Sequence, residues 1–303
     1  MKIKKIAVLT SGGDAPGMNS ALFGIYSACR DNNIKLIGFI GGYDGLIDNN
    51  FKEITFDSLD GRLNRGGSVI KSSRSPRFLK KPYFNKAVQN LKSNNVDALV
   101  VMGGDGSIRG AMELMNAGIK VIVLPCTIDN DLNFTYTIGF DSATNNIVNA
   151  IDNITDSLSA FGYGSVIKIM GRGCSDLIDS VSKAIHTDLV IKSPDFDEKE
   201  LLKKIKATRD DKHLPSIVLV LEDTVDCVEY ATHLQEKCKF QWRAHILGYI
   251  QRGGTPSAFD RRYGYSAGEL VVDYIMKNET GFALGMINDS FGKKSLEDTI
   301  KKL

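Results

Sequence analysis

At 303 residues the chain is longer than one compact core usually holds, so two lobes are expected. Hydrophobic residues make up 43% and charged residues 24%, the balance of a soluble globular protein, and a net charge of only +2 argues against a nucleic-acid or polybasic membrane partner. The five cysteines (Cys29, Cys126, Cys174, Cys227, Cys238) are odd in number and lack CxxC spacing, which points to a reduced, cytoplasmic chain without a cysteine metal site.

The N-terminal stretch MKIKKIAVLT is basic and then apolar, but its apolar run over 6–9 is too short for a signal peptide or a membrane span. It reads as the first buried strand, over 6–10. A helix over 20–30 and a strand over 35–40 follow. Next come a helix over 82–93, a strand over 98–102, a helix over 108–117 and a strand over 121–124. A long helix spans 141–157 and precedes strands over 166–170 and 189–191. Asp197 and Glu200 give an acidic capping start to a helix over 197–206. A strand over 217–221, a helix over 225–238 and a strand over 245–247 complete the alternating part. Residues 266–276 read as a helix that packs back on the first lobe, and the polar tail 293–303 as a short surface helix. Most of the strands are continuously apolar, as parallel strands covered on both faces require. Strand and helix in alternation argue for an α/β fold with a doubly wound sheet. Lobe crossings are expected near 137–141 and at the RGG turn near 251–254.

In such a fold ligands sit beyond the carboxyl ends of the strands. SGGDAPGMN at 11–19 follows the first strand; its paired glycines let backbone N–H groups approach an anion, and the next helix adds its positive end. GGDGS at 103–107 combines glycines that cradle phosphate oxygens with Asp105, a candidate Mg²⁺ acid. PCTIDND at 125–131 places Asp129 and Asp131 two apart in a turn, so that one can face a metal and the other a substrate hydroxyl. Each loop alone also reads as a plain turn, and Asp-Asn-Asp as an Asx-turn that only shapes the chain. Three at three strand ends describe a nucleotide–Mg²⁺ site facing a base. The chain has no GxxxxGK[ST] and no GxGxxG after its first strand, which disfavours a Walker-type site and a dehydrogenase. Its four histidines (His186, His213, His233, His245) show no HExxH spacing.

The motifs SGGDAPGMN, NRGGS at 64–68, GGDGS, TIDND at 127–131, YTIGF at 136–140, MGR at 170–172 and LGYIQRGG at 247–254 occur in an order that resembles the ATP-dependent 6-phosphofructokinases of the bacterial type. The resemblance covers nearly the whole chain. It implies two Rossmann-like three-layer α/β/α lobes with mainly parallel sheets and an active site in the cleft: a nucleotide-binding lobe over 1–138 plus 251–303, and a sugar-phosphate-binding lobe over 139–250. It implies ATP as co-substrate, Mg²⁺, and transfer of the γ-phosphoryl group to the 1-hydroxyl of fructose 6-phosphate, the glycolytic reaction. Gly12, Arg74, Ser75 and Gly104, Asp105, Gly106 and Ser107 then stand at the nucleotide. Asp105 and Asp131 stand at the metal, and Asp129 is the base. Thr127 and Ile128 lie beside the transferring phosphate. Met170, Gly171, Arg172 and Glu222 meet the sugar, and Arg243 and Arg252 its phosphate. Gly12, Arg74, Thr127 and Arg172 count with Asp129 among the catalytic set. The resemblance further implies a homotetramer, or a dimer, in which a neighbouring subunit completes the sugar site.

The sequence also departs from this pattern. The family's arginine seven residues before the MGR methionine is Tyr163 here, and its histidine before IQRGG is Tyr249. Losing one charged donor costs about 1.5–3 kcal/mol if nothing replaces it. Either the acceptor is bound more weakly, or it is another sugar phosphate such as tagatose 6-phosphate or sedoheptulose 7-phosphate. Gly106 stands where pyrophosphate users tend to carry aspartate and so favours ATP over pyrophosphate, and Cys126 is small and neutral. Ser75 replaces an aromatic residue that packs on adenine. Positions that carry effector-binding cations in the family hold Phe23, Ser27, Phe56, Thr155, Asp211 and His213. Weak or absent response to ADP and phosphoenolpyruvate is therefore expected. A non-catalytic nucleotide-binding subunit is the reading from another class; the retained Asp105, Asp129, Asp131, Arg172 and Arg252 oppose it.

Overall fold

The continuously apolar runs form parallel strands, and the helices between them return the chain to the same end each time. A computed structural model describes residues 2–212 and 215–301, with the side chains of all but 208–212. In chain order the elements are β1 (Lys5–Ser11), α1 (Met18–Asp31), β2 (Lys35–Phe39), α2 (Gly42–Ile47), β3 (Phe51–Glu53), α3 (Phe56–Leu59) and β4 (Ser72–Ser73). Then come α4 (Lys81–Ser93), β5 (Ala98–Gly103), α5 (Asp105–Asn116), β6 (Val121–Pro125) and the long α6 (Phe140–Phe161). β7 (Gly164–Ile169), α7 (Asp176–Ala184), β8 (Val190–Ile191), α8 (Glu198–Lys212), β9 (Ile217–Leu221), α9 (Cys227–Cys238) and β10 (Trp242–Ile246) follow. The chain closes with α10 (Ala258–Met276), β11 (Phe282–Ile287), β12 (Ser290–Ser295) and α11 (Leu296–Thr299). Among the described residues no helix is long and apolar enough to cross a membrane.

The chain divides into two compact units, Met1–Ser142 with Arg252–Lys302, and Ala143–Gln251. The first holds a sheet in the order β12-β11-β6-β5-β1-β2-β3, with β4 paired to the end of β1. Its central pairs are parallel, and only the rims, β2 with β3 and β11 with β12, are antiparallel. Every residue of β5 is buried, as a central strand between two helical layers demands. Leu9, Leu99, Val101 and Val123 of the sheet pack with Leu46 of α2 and Leu114 of α5, and each such side chain contributes about 1.5–3 kcal/mol through burial. The second unit carries a fully parallel sheet, β10-β7-β9-β8. Val166, Val218 and Val220 pack there with Leu201 and Ile205 of α8 and with Tyr230 and Leu234 of α9. As expected, Asp197 caps α8: its carboxylate accepts the N–H of Glu200 at 3.1 Å.

Several elements differ from the sequence reading. The last strand of the second unit runs over Trp242–Ile246 rather than 245–247, because WRAHI is a half-exposed edge strand without a continuous apolar run. The polar tail is not a surface helix. It forms the outer strand β12 and the four-residue α11, whose Leu296 and Thr299 are buried. Residues 302 and 303 of that tail lie outside the described residues. β3, β4, α2 and α3 are too short to stand out as periodic segments, and the nine-residue α7 is absent from the sequence reading.

The C-terminal helix does pack on the first unit, and it does so at backbone contact. A Cβ on Gly24 of α1 would lie 2.0 Å from the carbonyl oxygen of Tyr265, and one on Gly268 would lie 2.3 Å from that of Ala21. Gly24→Ala therefore forces α1 and α10 apart. We expect it to cost about 1–3 kcal/mol, read as a lower urea midpoint with the native far-UV spectrum retained; an unchanged midpoint would show that the helices can separate freely.

Candidate active site

The parallel strands of the first unit bring four loops to one end of the sheet. β1 ends in Ser11, and Gly12 (φ 82°) turns the chain with its N–H donating to Ser73 O at 3.0 Å. Its carbonyl accepts the Ser72 hydroxyl at 2.9 Å, so β4 fastens the glycine loop and delivers the exposed Arg74 beside it. A Cβ on Gly103, at the end of β5, would sit 2.5 Å from Ser11 O, and the buried Ser107 hydroxyl donates to that same oxygen at 3.0 Å. Gly104 precedes α5, with Thr127 against it: a Cβ there would lie 3.7 Å from the Thr127 Cβ. Asp105 occupies the first turn of α5, where the helix N-terminus favours negative charge. A Cβ on Gly106 meets nothing within 4 Å, so the packing around α5 leaves that position open.

Arg252 reaches this end of the sheet as well. Its Nη2 lies 2.5 Å from Asp14 Oδ1, and a Cβ on Gly13 would collide with the guanidinium at 2.6 Å. Ser75 does not present an open face to a base. Its hydroxyl donates to Asp44 at 2.7 Å, and Arg77 joins Asp44 to Asp48.

The TIDND loop is built around its asparagine. Asn130 adopts a left-handed φ of 52°, which asparagine tolerates because its side chain can bond its own neighbourhood. Its amide nitrogen donates to Thr135 O at 3.2 Å, and its amide oxygen accepts the N–H of Thr137 at 3.0 Å. The Thr137 hydroxyl donates to Thr127 O at 2.7 Å. With the turn fixed by Asn130, Asp129 and Asp131 flank it, both buried, as is Ile128. The Thr127 hydroxyl accepts the Asp129 N–H and donates to Asp131 Oδ1, each at 3.2 Å. The local turn is closed by the Thr127 hydroxyl on the N–H two residues on, Asn130 shapes the loop through longer-range bonds, and the paired carboxylates stand within it.

Behind this loop lies a residue that the sequence reading missed. Asp260, fully buried at the start of α10, accepts the N–H of Gly139 at 2.9 Å and that of Ser142 at 2.8 Å. It also accepts the Ser142 hydroxyl at 2.5 Å, the length of a hydroxyl donating to a carboxylate. Burial pushes its carboxyl up to about 6 against these bonds, and Asp141 adds to the rise. The Ser257–Asp260 spacing is a helix-start signal that could have flagged it, and Ser257 does cap α10 by accepting the Asp260 N–H. Cys126 lies buried in a bridge to Ile138, where burial drives its thiol up and the side chain fills space beside the loop.

In the second unit the predicted residues separate into two groups. Met170, Gly171 and Arg172 follow the carboxyl end of β7. Glu222 follows that of β9, and Tyr249 lies beyond β10, exposed. One carboxylate oxygen of Glu222 accepts the N–H groups of Gly171 (3.1 Å) and Arg172 (2.7 Å), and Gln251 accepts that of Met170 (2.9 Å). Arg172 holds a φ of 46°, unusual for a long side chain. Tyr163 and Arg243 stand at the other end, before β7 and at the start of β10, with the Arg243 guanidinium over the Tyr163 ring at 5.2 Å and Phe161 stacked on that ring. The six residues of β7 separate the two groups by about 20 Å.

Among the described residues, the positions where effector-binding cations are expected hold no cluster of cations. Phe23 packs with Phe56, Tyr26 and Tyr265, and the Tyr265 hydroxyl donates to Ser27 at 3.2 Å. Thr155 lies in α6, where its carbonyl accepts the Ser159 hydroxyl. The Asp211 side chain and His213 lie outside the described residues. Among the described residues no cluster of three or more His, Cys, Asp or Glu side chains forms a cage for a metal. Two carboxylates, Asp105 and Asp131, suit Mg²⁺ instead, which takes one or two acids and completes its shell with phosphate oxygens and water.

The phosphofructokinase family model matches residues 5–275. The chain belongs to the phosphofructokinase family. It is 40% identical to an ATP-dependent 6-phosphofructokinase of Macrococcus caseolyticus, covering 98% of this chain and 93% of that one. It is 38% identical to one of Finegoldia magna, covering 94% and 90%. The structure of phosphofructokinase from Saccharomyces cerevisiae superposes with a TM-score of 0.88 at 27% identity, and this chain, 97% of it covered, spans 45% of that longer one. The mixed α/β architecture with mainly parallel sheets is thus the family's.

Asp260 also couples stability to pH. Its folded pKa, about 6, lies above the ordinary 3.8, so between these values the native state holds more protons than the unfolded one and stability falls as pH rises. Against Asp260→Asn, which has no carboxylate to ionise, the wild type should lose on the order of 3 kcal/mol of relative stability between about pH 4 and pH 7. Urea midpoints of both proteins at each pH test this, and parallel curves would overturn it.

Proposed function

We propose that this chain transfers the γ-phosphoryl group of ATP to the 1-hydroxyl of fructose 6-phosphate, giving fructose 1,6-bisphosphate and ADP. The observation that carries the reading is the convergence of the glycine loops of β1 and β5 with the buried Asp129 loop of β6. It is supported by full-length relatives named ATP-dependent 6-phosphofructokinase. The first unit is the nucleotide-binding lobe and the second the sugar-phosphate lobe.

Phosphoryl transfer requires positioning and charge neutralisation more than covalent help. Gly12, Gly104 and Gly106 leave backbone room for phosphate oxygens, and the N-terminus of α5 adds its positive end. Arg74 neutralises the same phosphates. Asp105 and Asp131 would hold Mg²⁺, whose charge would offset that of the phosphate oxygens. Asp129 accepts the proton of the 1-hydroxyl as that oxygen bonds to the γ-phosphorus and the bond to the β-phosphate oxygen breaks. Thr127, bonded to the backbone N–H of Asp129 and to the carboxylate of Asp131, ties the two residues together. In the second unit Met170, Gly171, Arg172 and the second oxygen of Glu222 meet the sugar hydroxyls, and Arg252 in the first meets the 6-phosphate.

Tyr163 and Arg243 stand at the opposite end of β7 from Met170 and Glu222, so one copy does not turn both groups to one sugar phosphate. A second copy of the chain supplies Tyr163 and Arg243, in a homotetramer of the cytoplasm. Tyr163 is uncharged and lies under Arg243 rather than adding a second cation. That observation favours, as the second reading, a same-fold kinase for another sugar phosphate, such as tagatose 6-phosphate or sedoheptulose 7-phosphate.

A coupled assay that crosses ATP, GTP and pyrophosphate with these acceptors tests the reading. ATP with fructose 6-phosphate should give the highest kcat/KM; turnover with none of the pairs would leave a nucleotide-binding subunit. Asp129→Asn should lower kcat by about 10²–10⁴-fold with the KM for ATP little changed, and wild-type turnover would remove the base. Because aromatic side chains pack where effector cations are expected, ADP and phosphoenolpyruvate should leave the rate nearly unaltered. A strong saturable response to either is the contrary result.

A further inference from the structure

Asp260 lies at the meeting point of segments that shape the site, yet it is not itself at a strand end. Its carboxylate fixes the backbone at Gly139 and Ser142, the start of α6. Directly before Gly139, Ile138 is bridged to Cys126, with its N–H donating to Pro125 O at 3.1 Å. Before that, Thr137 holds Thr127 O and the Asn130 side chain. Thus the N–H groups of residues 137 and 138 and the Thr137 hydroxyl all donate to the segment that carries Asp129, while the Thr137 carbonyl accepts the N–H of Phe140 in α6. One turn along α10, the Tyr263 hydroxyl donates to Tyr136 O at 3.1 Å and accepts the Met286 N–H at 2.9 Å, pinning the other end of the same segment. The glycine loop leans on this assembly too. A Cβ on Gly139 would lie 2.7 Å from the Ala15 Cβ, and one on Gly17 would lie 2.7 Å from Ile138 and 3.3 Å from the Asp260 Cβ.

We infer that Asp260 is a positioning residue for phosphoryl transfer: by holding residues 139–142 it sets the placement of the Asp129 loop against the glycine loop of β1. The assignment rests on the reading of Asp129 as the base. A carboxylate suits the task because it accepts three bonds from one short segment, two of them backbone N–H groups that no helix carbonyl can satisfy. Asparagine retains one acceptor oxygen and turns an N–H₂ group toward a donor. Alanine retains nothing.

The test compares Asp260→Asn, Asp260→Ala and, as a control for lost stability, Val272→Ala, a buried position further along α10. Steady-state kinetics are run with ATP and fructose 6-phosphate below the melting temperature of every variant. Misplacing a reacting group by about an ångström costs on the order of 10²-fold in rate. Asp260→Ala should therefore lose about that much kcat and Asp260→Asn about tenfold, with KM for both substrates within about twofold. Val272→Ala should keep the wild-type kcat. Kcat per folded molecule that is unchanged in both Asp260 variants, or equally reduced in Val272→Ala, overturns the inference and leaves Asp260 a stability residue only. Asp129→Asn is measured alongside. Full activity there removes the base reading, whereas its loss beside an unaffected Asp260→Ala removes only the positioning role.

Discussion

Everything in the site depends on how closely the backbones of β1 and β5 approach at their carboxyl ends. With no side chain on Gly103, the Ser11 carbonyl comes near enough to take the Ser107 hydroxyl at 3.0 Å. That single buried bond ties the glycine loop after β1 to the helix after β5. Both loops then face the same way, with the N-terminus of α5 behind one of them. A methyl group on Gly103 would collide with Ser11 O and the Ser107 side chain and drive the strands apart there. The β6 loop joins them from the next strand, with Cys126 N–H on Gly103 O at 3.0 Å.

The two carboxylates of the β6 loop owe their burial to groups that have no chemistry of their own. Asn130 accepts a left-handed backbone and repays the strain with bonds to residues 135 and 137. Lys301 adds a bond to its carbonyl at 2.8 Å from the far end of the chain. Asp260 braces the following segment from α10. A loop held at this many points carries its acids in place before substrate arrives, which is where rate in phosphoryl transfer comes from.

Much of the fold was legible because parallel strands need apolar side chains on both faces. The runs at β1, β5, β6, β7 and β9 announce themselves, and so do the long helices between them. β10 was misplaced and β12 missed for the converse reason: each lies at a rim, where one side meets solvent and the apolar signal thins; the inner, apolar β11 was missed as well. In the site, Gly12, Gly104, Asp105 and Asp129 could be named from loops at strand ends. The partners of Asp14 and Asp260 could not. They lie 238 and 118 to 121 residues away in sequence, and no local period records such a distance.

The sequence by itself determined the family, the architecture and the kind of chemistry, because strand-end loops of glycine and aspartate carry their function in local residue type. Tertiary structure alone decided which groups face one another. It put Tyr163 beneath Arg243, and both at the opposite end of β7 from Met170 and Glu222, since only strand pairing sets which end of a sheet a residue occupies. It turned Ser75 toward Asp44, closed Cys126 into the core, and gave the buried carboxylate of Asp260 to the first turn of α6. These are contacts made through space between distant segments, and the physics that selects them is packing, which a linear pattern does not contain.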